Sequence, residues 1–530
     1  MGAAPDLGVG AFSEDGPWVI DPERLAWRPG LDRVRADVRA EVPRLVTPRR
    51  IPPAGRLLIT LRHLGLVVLI WWLGKRRRGG PESVADLSRR LRKAAERLGP
   101  AYIKLGQIIS AGEGVFPEPL VAEFKLCRDQ VPPESFADVR RVVEEDLGRP
   151  LEEVFATFDP VPLAAASIAQ VHAARLHSGE SVVVKVQRPA VARLVRADLA
   201  VMAWIAPRLV GRIPVSALAN PPALVELFAE TIAEELDFRL EAENMLDVAR
   251  SVVELGQTRY VVPRPHPELV TRRVLVMERL SGFAFDDVAG MQAAGVDTEA
   301  LVRAGMIGFL EGAMFNGIFH GDLHGGNLFV MPDGRYALLD FGITGRLDET
   351  RRRAFLRLLV TATVNDVKGQ LEALRDLGAL PSDTDIAAVI TDLGLDRPPV
   401  DPTTLTPEEL VAEIQRTVKA LLGYGARLPK ELMLFVKNLV FLDGAIATLA
   451  PDLDLFAEIT HIAGYFATAH GARIFGDVGE AARRDIDLSG MKASFGVDPG
   501  MERLTYRDLQ ERRAVIRERL AKRDRRRRPR

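Results

Sequence analysis

A polar run in the second half of the chain, His320-Gly-Asp-Leu-His-Gly-Gly-Asn327, followed by Leu338-Leu-Asp-Phe-Gly342, limits the available folds more than any other feature. Asn327 lies five residues after Asp322, and Asp340 lies eighteen after it. Two short apolar runs, Asn327–Val330 and Tyr336–Leu339, flank the turn Pro332-Asp333-Gly334, the pattern of a tight hairpin. Such a hairpin is expected to bring Asp322, Asn327 and Asp340 to one edge. A phosphoryl-transfer site needs a carboxylate near an acceptor hydroxyl, and oxygen ligands that hold Mg²⁺ against phosphates. Asp322 suits the first task; Asn327 and Asp340 suit the second.

A second element lies upstream. Val-Val-Val-Lys-Val places Lys185 in an apolar strand, where its charge has no obvious local partner. Reaching nucleotide phosphates explains it, with a glutamate from a following helix to hold it. Glu234-Glu-Leu-Asp-Phe-Arg-Leu-Glu-Ala-Glu-Asn244 supplies the candidates, and Glu241 is the choice. Where a protein kinase has a glycine-rich loop, this chain has Ala164-Ala-Ala-Ser-Ile-Ala-Gln-Val-His172. Alanine disfavours positive φ and adds a methyl group, so nucleotide is expected to sit differently. Ala164, Ala165, Ala166, Ser167, Lys185 and Met277 are the expected nucleotide contacts.

The order of elements supports an α+β, bilobal, protein-kinase-like fold. Residues 171–187 read as two strands around Ser178-Gly179-Glu180, residues 270–277 read as a further strand, and the chain from 297 is mostly helical. The expected divisions are a loosely packed start (1–56), a helical extension (57–150), an N-lobe (151–280), a mostly helical C-lobe (281–470) and a charged tail (471–530). The single cysteine, Cys127, rules out an intramolecular disulfide, fits a reducing compartment, and reads as a buried small hydrophobe. No secretory signal is visible at the N-terminus. Residues 57–73, with Arg62 and His63 inside and Trp71, Trp72 and Lys75–Arg78 at the end, suit either a membrane-surface helix or one buried against the protein. A true span is not expected.

Together these residues resemble the UbiB/AarF/ADCK family of atypical kinases, over about 97–460. Lys104-Leu-Gly-Gln107 matches its KxGQ motif, Ala164–Ser167 its alanine-rich loop, and Val184–Pro189 its nucleotide-lysine segment. Glu235-Leu-Asp237 matches its ExD motif. Glu241, Asp322, Asn327 and Asp340 match its lysine-pairing, catalytic and metal positions, and Leu428–Glu431 with Asp443-Gly444 its C-lobe ending. The resemblance implies that the KxGQ helix covers the active site and excludes large protein acceptors, with Lys104 meeting Glu235 and Asp237. Gly112 and Gly114 stand where the family usually has arginine and aspartate, and Leu323 and Gly325 where it often has prolines. Gly325 is expected to loosen the turn.

The resemblance implies an ATP- and Mg²⁺-dependent enzyme, an ATPase or small-molecule kinase supporting isoprenoid-quinone or related lipid metabolism. The expected placement is cytoplasmic, peripheral at the inner face of the cell membrane, with contacts to anionic lipid, isoprenoid or quinone-type lipids, or their biosynthetic proteins. The alternatives are a phosphotransferase of the aminoglycoside or choline-kinase type, whose loop is similar but which lacks the Lys104–Gln107 and Glu235–Asp237 motifs, and a nucleotide-binding scaffold. The net charge of −1 says nothing about a polyanionic partner, but no nucleic-acid fold accompanies the basic end, so no nucleic-acid partner is expected. The arginine-rich end, 522–530, reads as a solvated tail.

Overall fold

The computed structural model describes residues 11–14, 16–48, 52–74, 81–111, 117–126, 131–210, 221–395, 420–421, 423–426, 429–479, 487, 489, 492 and 500–514. Cys127, the Lys75–Arg78 cluster, Gly112, Gly114, Leu428 and the 522–530 tail lie outside the described residues. The chain divides into two compact units. The first comprises Met1–Val253, Tyr260–Ser281 and Ala337–Ile343; the second comprises Glu254–Arg259, Gly282–Tyr336 and Thr344–Arg530.

The first unit is built on an antiparallel sheet of six strands: β1 (Phe155–Phe158), β2 (Ala164–Ala165), β3 (Ala169–Leu176), β4 (Ser181–Gln187), β5 (Pro265–Val270) and β6 (Val274–Glu278). Its order is β1-β3-β4-β6-β5, and β2 pairs with β3. Strand side chains alternate between faces. Val182, Val184 and Val186 therefore point together into a core shared with Val139, Val142 and Val143 of the helix Phe136–Leu147. Burying each valine contributes roughly 1.5–3 kcal/mol. Lys185 takes the opposite face, on a strand paired on both sides: it opposes Val171 of β3 and Leu275 of β6. The sequence alone would suit an edge strand for this lysine; the sheet makes its strand central.

A second core in this unit is helical. It joins α1 (Leu31–Val46), α2 (Pro81–Leu98), α3 (Pro100–Ala111), α4 (Glu118–Lys125), α5 (Val191–Leu209) and α6 (Pro221–Glu234). Gly106 fixes how closely α3 and α4 approach, because a Cβ there would lie 2.4 Å from the Phe124 ring. The start of the chain differs from the loosely packed segment expected over 1–56. Phe12, Ile20, Leu25 and Trp27 are buried, and the Trp27 indole donates to the His266 carbonyl at 3.1 Å. Scattered aromatic anchors hold this segment, which is why no periodicity announces it.

The second unit is mostly helical: α7 (Thr298–Glu311), α8 (Glu349–Thr363), α9 (Lys430–Leu449) and α10 (Leu455–Val478), with two shorter helices, Val367–Asp376 and Ile386–Leu393, after α8. The strands Ile318–His320 and Thr344–Arg346 pair in antiparallel fashion. Phe309, Phe319 and Phe355 surround Phe435 of α9, with ring centroids 4.3–6.1 Å from it. The charged end differs from the tail expected over 471–530. Helix α10 continues to Val478, and Leu504 and Tyr506 are buried. The Leu455 N–H donates to the Leu504 carbonyl at 2.9 Å, and Arg513 pairs with Asp443 at 2.7 Å.

His266 gives the first unit a pH dependence. Its Nδ1 accepts from the backbone N–H groups of Glu268 and Leu269, both at 3.1 Å, and its ring meets Trp18 edge-on at 4.9 Å. Burial pushes its pKa down to about 4. The folded state thus favours neutral imidazole. This contribution is complete above the unfolded value of about 6.5 and is lost as pH falls from there toward 4. Denaturant titrations should show stability dropping by less than ~1.4 kcal/mol for each pH unit in that window. His266→Asn, whose Oδ1 replaces the acceptor, should flatten this part of the curve.

Candidate active-site residues

Lys185 is held from two sides in the first unit. Its Nζ donates to Glu241 Oε1 at 2.6 Å and to Asp340 Oδ2 at 3.1 Å, and lies 5.5 Å from the centre of the Phe238 ring. Glu241 and Phe238 share the helix Phe238–Glu254, and Glu241 is 3% exposed. The other glutamates considered for this role pair elsewhere: Glu243 with Arg28 at 3.0 Å, and Glu234 with Arg39 at 3.8 Å. Asp340 is fixed by its neighbours. Gly342 donates its N–H to Asp340 Oδ1 at 2.9 Å, Phe341 its N–H to Glu241 at 3.4 Å, and Asn244 its amide to the Phe341 carbonyl at 2.8 Å.

The electrostatics follow from one cation between two anions. Burial opposes the Lys185 ammonium, but Asp340 and Glu241 hold its pKa above the ordinary lysine value. Burial is also the largest influence on Glu241, pushing its carboxyl up to about 7 against the pull of Lys185. For Asp340 burial is outweighed by Lys185, Lys104 and the Gly342 N–H, which hold the carboxyl well below the usual carboxylate range. Asp340 keeps 40% of its side-chain exposure, so solvent screens part of that attraction.

Lys104, on α3, pairs with Glu235 at 3.2 Å, and both are largely buried. Glu235 is close to the Asp-Phe-Gly turn: a Cβ on Gly342 would lie 3.4 Å from Glu235 Cγ and 3.2 Å from Asp340 Oδ1. Asp237 pairs with its neighbour Arg239 at 2.7 Å. The expected meeting of Lys104 with both acids is thus seen for Glu235. The turn between α6 and the next helix gives Asp237 a nearer cation, two residues along. Gln107 is half-buried on α3.

The alanine-rich segment is tied down. Ala164 and Ala165 pair with Val171 and Gln170, the Ala166 N–H donates to the Ala169 carbonyl at 2.8 Å, and Ser167 is buried. Arg188 was not singled out from sequence, yet it braces this segment. Its guanidinium reaches the carbonyls of Ala166 at 2.9 Å and Pro132 at 3.0 Å, and pairs with Glu134 at 2.9 Å. Met277 opposes Val183 and so shares the Lys185 face of the sheet.

Asp322 and Asn327 belong to the second unit. Asn327 Nδ2 donates to the Asp322 carbonyl at 3.1 Å, and the Asp322 N–H donates to His320 Nδ1 at 3.1 Å. Gly325–Asn327 form one 3₁₀ turn, whose Gly326 N–H donates to His324 Nδ1 at 3.1 Å. Side chains therefore hold the turn that Gly325 was expected to loosen. Two more residues reach this loop from α9. Lys437 donates to Asp322 Oδ1, while Asn438 accepts from the Leu323 N–H at 3.0 Å and donates to the His320 carbonyl. The sequence reading missed both. A lysine–asparagine pair inside the apolar run of α9 was the available signal.

The ABC1 atypical kinase-like domain matches residues 126–374. A Mycobacterium tuberculosis protein described as uncharacterized is 38% identical over 382 residues, covering 70% of this chain and 76% of that one. An uncharacterized chloroplastic aarF domain-containing protein kinase of Arabidopsis thaliana is 33% identical, covering 69% and 73%. A probable protein kinase UbiB of Azotobacter vinelandii is 33% identical, covering 75% and 73%. The chain belongs to the ABC1 atypical kinase-like family, with the UbiB and AarF-domain proteins. A solved M. tuberculosis protein in complex with erythromycin overlays 65% of this chain at a TM-score of 0.37 and 23% identity, too distant to bear on fold or ligand. Within this kinase-like chain, the structure joins Lys185 to Glu241 and Asp340, and Lys104 to Glu235, in one unit. It joins Asp322 to Asn327 in the other.

The buried cation should matter for stability. Lys185→Ala leaves Glu241 and Asp340 facing each other and should cost roughly 3 kcal/mol in chemical denaturation, the scale of a broken buried ion pair. Adding Glu241→Gln should recover part of that loss. A simple sum of the two single effects would show that the three charges are not coupled.

Proposed function

We propose that this protein is an atypical kinase or ATPase that binds MgATP and acts on a small molecule, or hydrolyses ATP, in isoprenoid-quinone or related lipid metabolism. The observation that carries the reading is Lys185 held between Glu241 and Asp340. An ammonium fixed in this way serves as a phosphate anchor. The two carboxylates leave the group with excess negative charge, which suits a divalent cation beside Asp340. In the second unit Asn327 is a further candidate metal ligand: its Nδ2 is committed to the Asp322 carbonyl, leaving Oδ1 as a ligand oxygen. Hard oxygen donors of this kind, few in number, suit Mg²⁺ that keeps its phosphate and water ligands. Asp340 would hold that ion in the first unit, where it supplies charge neutralisation at the phosphates. Asp322 would accept the acceptor's proton. Ala164–Ser167 and Met277 would line the nucleotide.

The Lys104–Glu235 pair supports this reading over the aminoglycoside or choline-kinase type. It ties the KxGQ helix beside the Asp-Phe-Gly turn, in keeping with a cover against large acceptors. The quinone or lipid link rests wholly on the resemblance to the UbiB/AarF/ADCK family.

A membrane surface is the proposed place of action. Gly55–Gly74 and Lys430–Leu449 are both long and apolar enough to cross a membrane, but differ in burial, at 11% and 39%. Within the first of these, Arg56 pairs with Asp198 and the Trp71 indole donates to Ser83 at 2.9 Å, while Leu58, Leu66, Leu69 and Leu73 remain exposed. A helix docked by one side with leucines outward suits interfacial binding. Leu66→Glu/Leu69→Glu should abolish co-flotation with phosphatidylglycerol vesicles while leaving the melting temperature unchanged. Undiminished flotation would remove this surface from the proposal.

The activity test is ATP turnover by the purified full chain, with and without the same vesicles and candidate phenolic or isoprenoid compounds. Asp340→Asn should remove Mg²⁺-dependent nucleotide binding in a thermal-shift titration. Glu241→Gln should lower turnover on the order of 10²-fold, the scale of a misplaced binding group, while Glu234→Gln and Glu243→Gln should change it little. Unchanged MgATP affinity in Asp340→Asn would overturn the metal assignment.

A further inference from the structure

We propose that Lys437 is a further catalytic residue, supplying the cation that the Asp322 loop lacks and stabilising charge on the phosphoryl group in transfer. The inference rests on the MgATP-dependent reading above. The loop His320–Asn327 contains no lysine or arginine. Its cation arrives instead from α9, whose Lys437 Nζ donates to Asp322 Oδ1. This is no loose surface pair: the side chains are 22% and 13% exposed.

The helix fixes that contact through the next residue. Asn438 has no exposed surface, accepts from the Leu323 N–H and donates to the His320 carbonyl. It therefore grips the loop backbone on both sides of Asp322. Phe435, one turn earlier, anchors the helix among Phe309, Phe319 and Phe355. Asn438 and Phe435 both hold α9 through contacts that do not involve the Lys437 ammonium. The Lys437 ammonium is directed instead at the Asp322 carboxylate, the group proposed to take the acceptor's proton.

In the reaction, an acceptor O–H oxygen forms a bond to the γ-phosphorus of ATP. The bond from that phosphorus to the β,γ-bridging oxygen breaks, and its electron pair leaves with ADP. The acceptor proton passes to the Asp322 carboxylate and then to solvent. Lys437 keeps its own protons and stabilises negative charge on the phosphoryl oxygens. A donor fixed beforehand contributes most in the transition state, so the loss should fall on kcat.

The test compares wild type, Lys437→Met, Lys437→Gln, Lys437→Arg and Asn438→Ala as full chains. Steady-state MgATP turnover, MgADP affinity by calorimetry and melting temperature are measured for each. Lys437→Met should lose on the order of 10²–10³ in kcat, the range for removing one charge-stabilising donor. Its KM and MgADP affinity should stay within about a factor of two of wild type. Lys437→Arg should recover much of the loss. Asn438→Ala should mainly lower the melting temperature. Lys437→Gln keeps a donor to Asp322 without the charge, and carries the test if the methionine variant does not fold. Wild-type kcat in the folded neutral variants, a rise in turnover, or a kcat loss that arginine does not rescue would overturn the assignment. If wild type neither binds MgADP nor turns over MgATP, the nucleotide reading fails and this proposal with it. MgADP binding with normal turnover in the variants overturns the Lys437 role alone.

Discussion

The ammonium of Lys185 is the charge around which the first unit is arranged. A lysine on the central strand of a sheet has lost most of its water, and the loss is tolerable only where anions replace the solvent. Glu241 and Asp340 provide them at 2.6 and 3.1 Å. Each anion comes from a different part of the chain, so the contact joins the strand to a helix and to the Asp-Phe-Gly turn. The valines on the other strand face hold the sheet rigid. The Phe341 N–H and Asn244 hold the turn. Lys185 is thus held in a set position, which lowers the ordering cost of binding the nucleotide phosphate proposed for it.

The second unit solves a related problem in another way. Its loop carries Asp322 and Asn327, but short-range bonds alone would leave a glycine-rich turn poorly defined. His320 and His324 cap backbone N–H groups inside the loop, and Asn438 grips it from outside. Buried amide contacts of this kind are directional, so they fix orientation where apolar packing would fix only proximity.

Much of this was legible because some signals are local or have a narrow chemical meaning. A lysine among valines needs an anion, and the run from His320 to Gly342 carries motifs that match the family to which the chain belongs. Among the glutamates that the sequence offered, the one in contact with Lys185 is Glu241. Other features left weaker traces. The N-terminal segment packs through separated aromatic residues, Leu504 and Tyr506 bury a stretch that reads as a charged tail, and Arg188 serves backbone carbonyls that no side-chain pattern reveals. Asp237 was expected to face Lys104, but a competing cation lies two residues away.

By itself the sequence determined which residues could carry charge, which strands and helices could form, and which family the motifs match. Those properties follow from side-chain chemistry and from the periods of strand and helix, both of which are written in neighbouring residues. The tertiary structure decided which glutamate meets Lys185, which acid meets Lys104, and that a helix 115 residues beyond Asp322 supplies its lysine. Such pairings depend on where the chain returns in space. Several carboxylates compete for each cation at similar intrinsic strength, and only the packing of the whole unit selects among them.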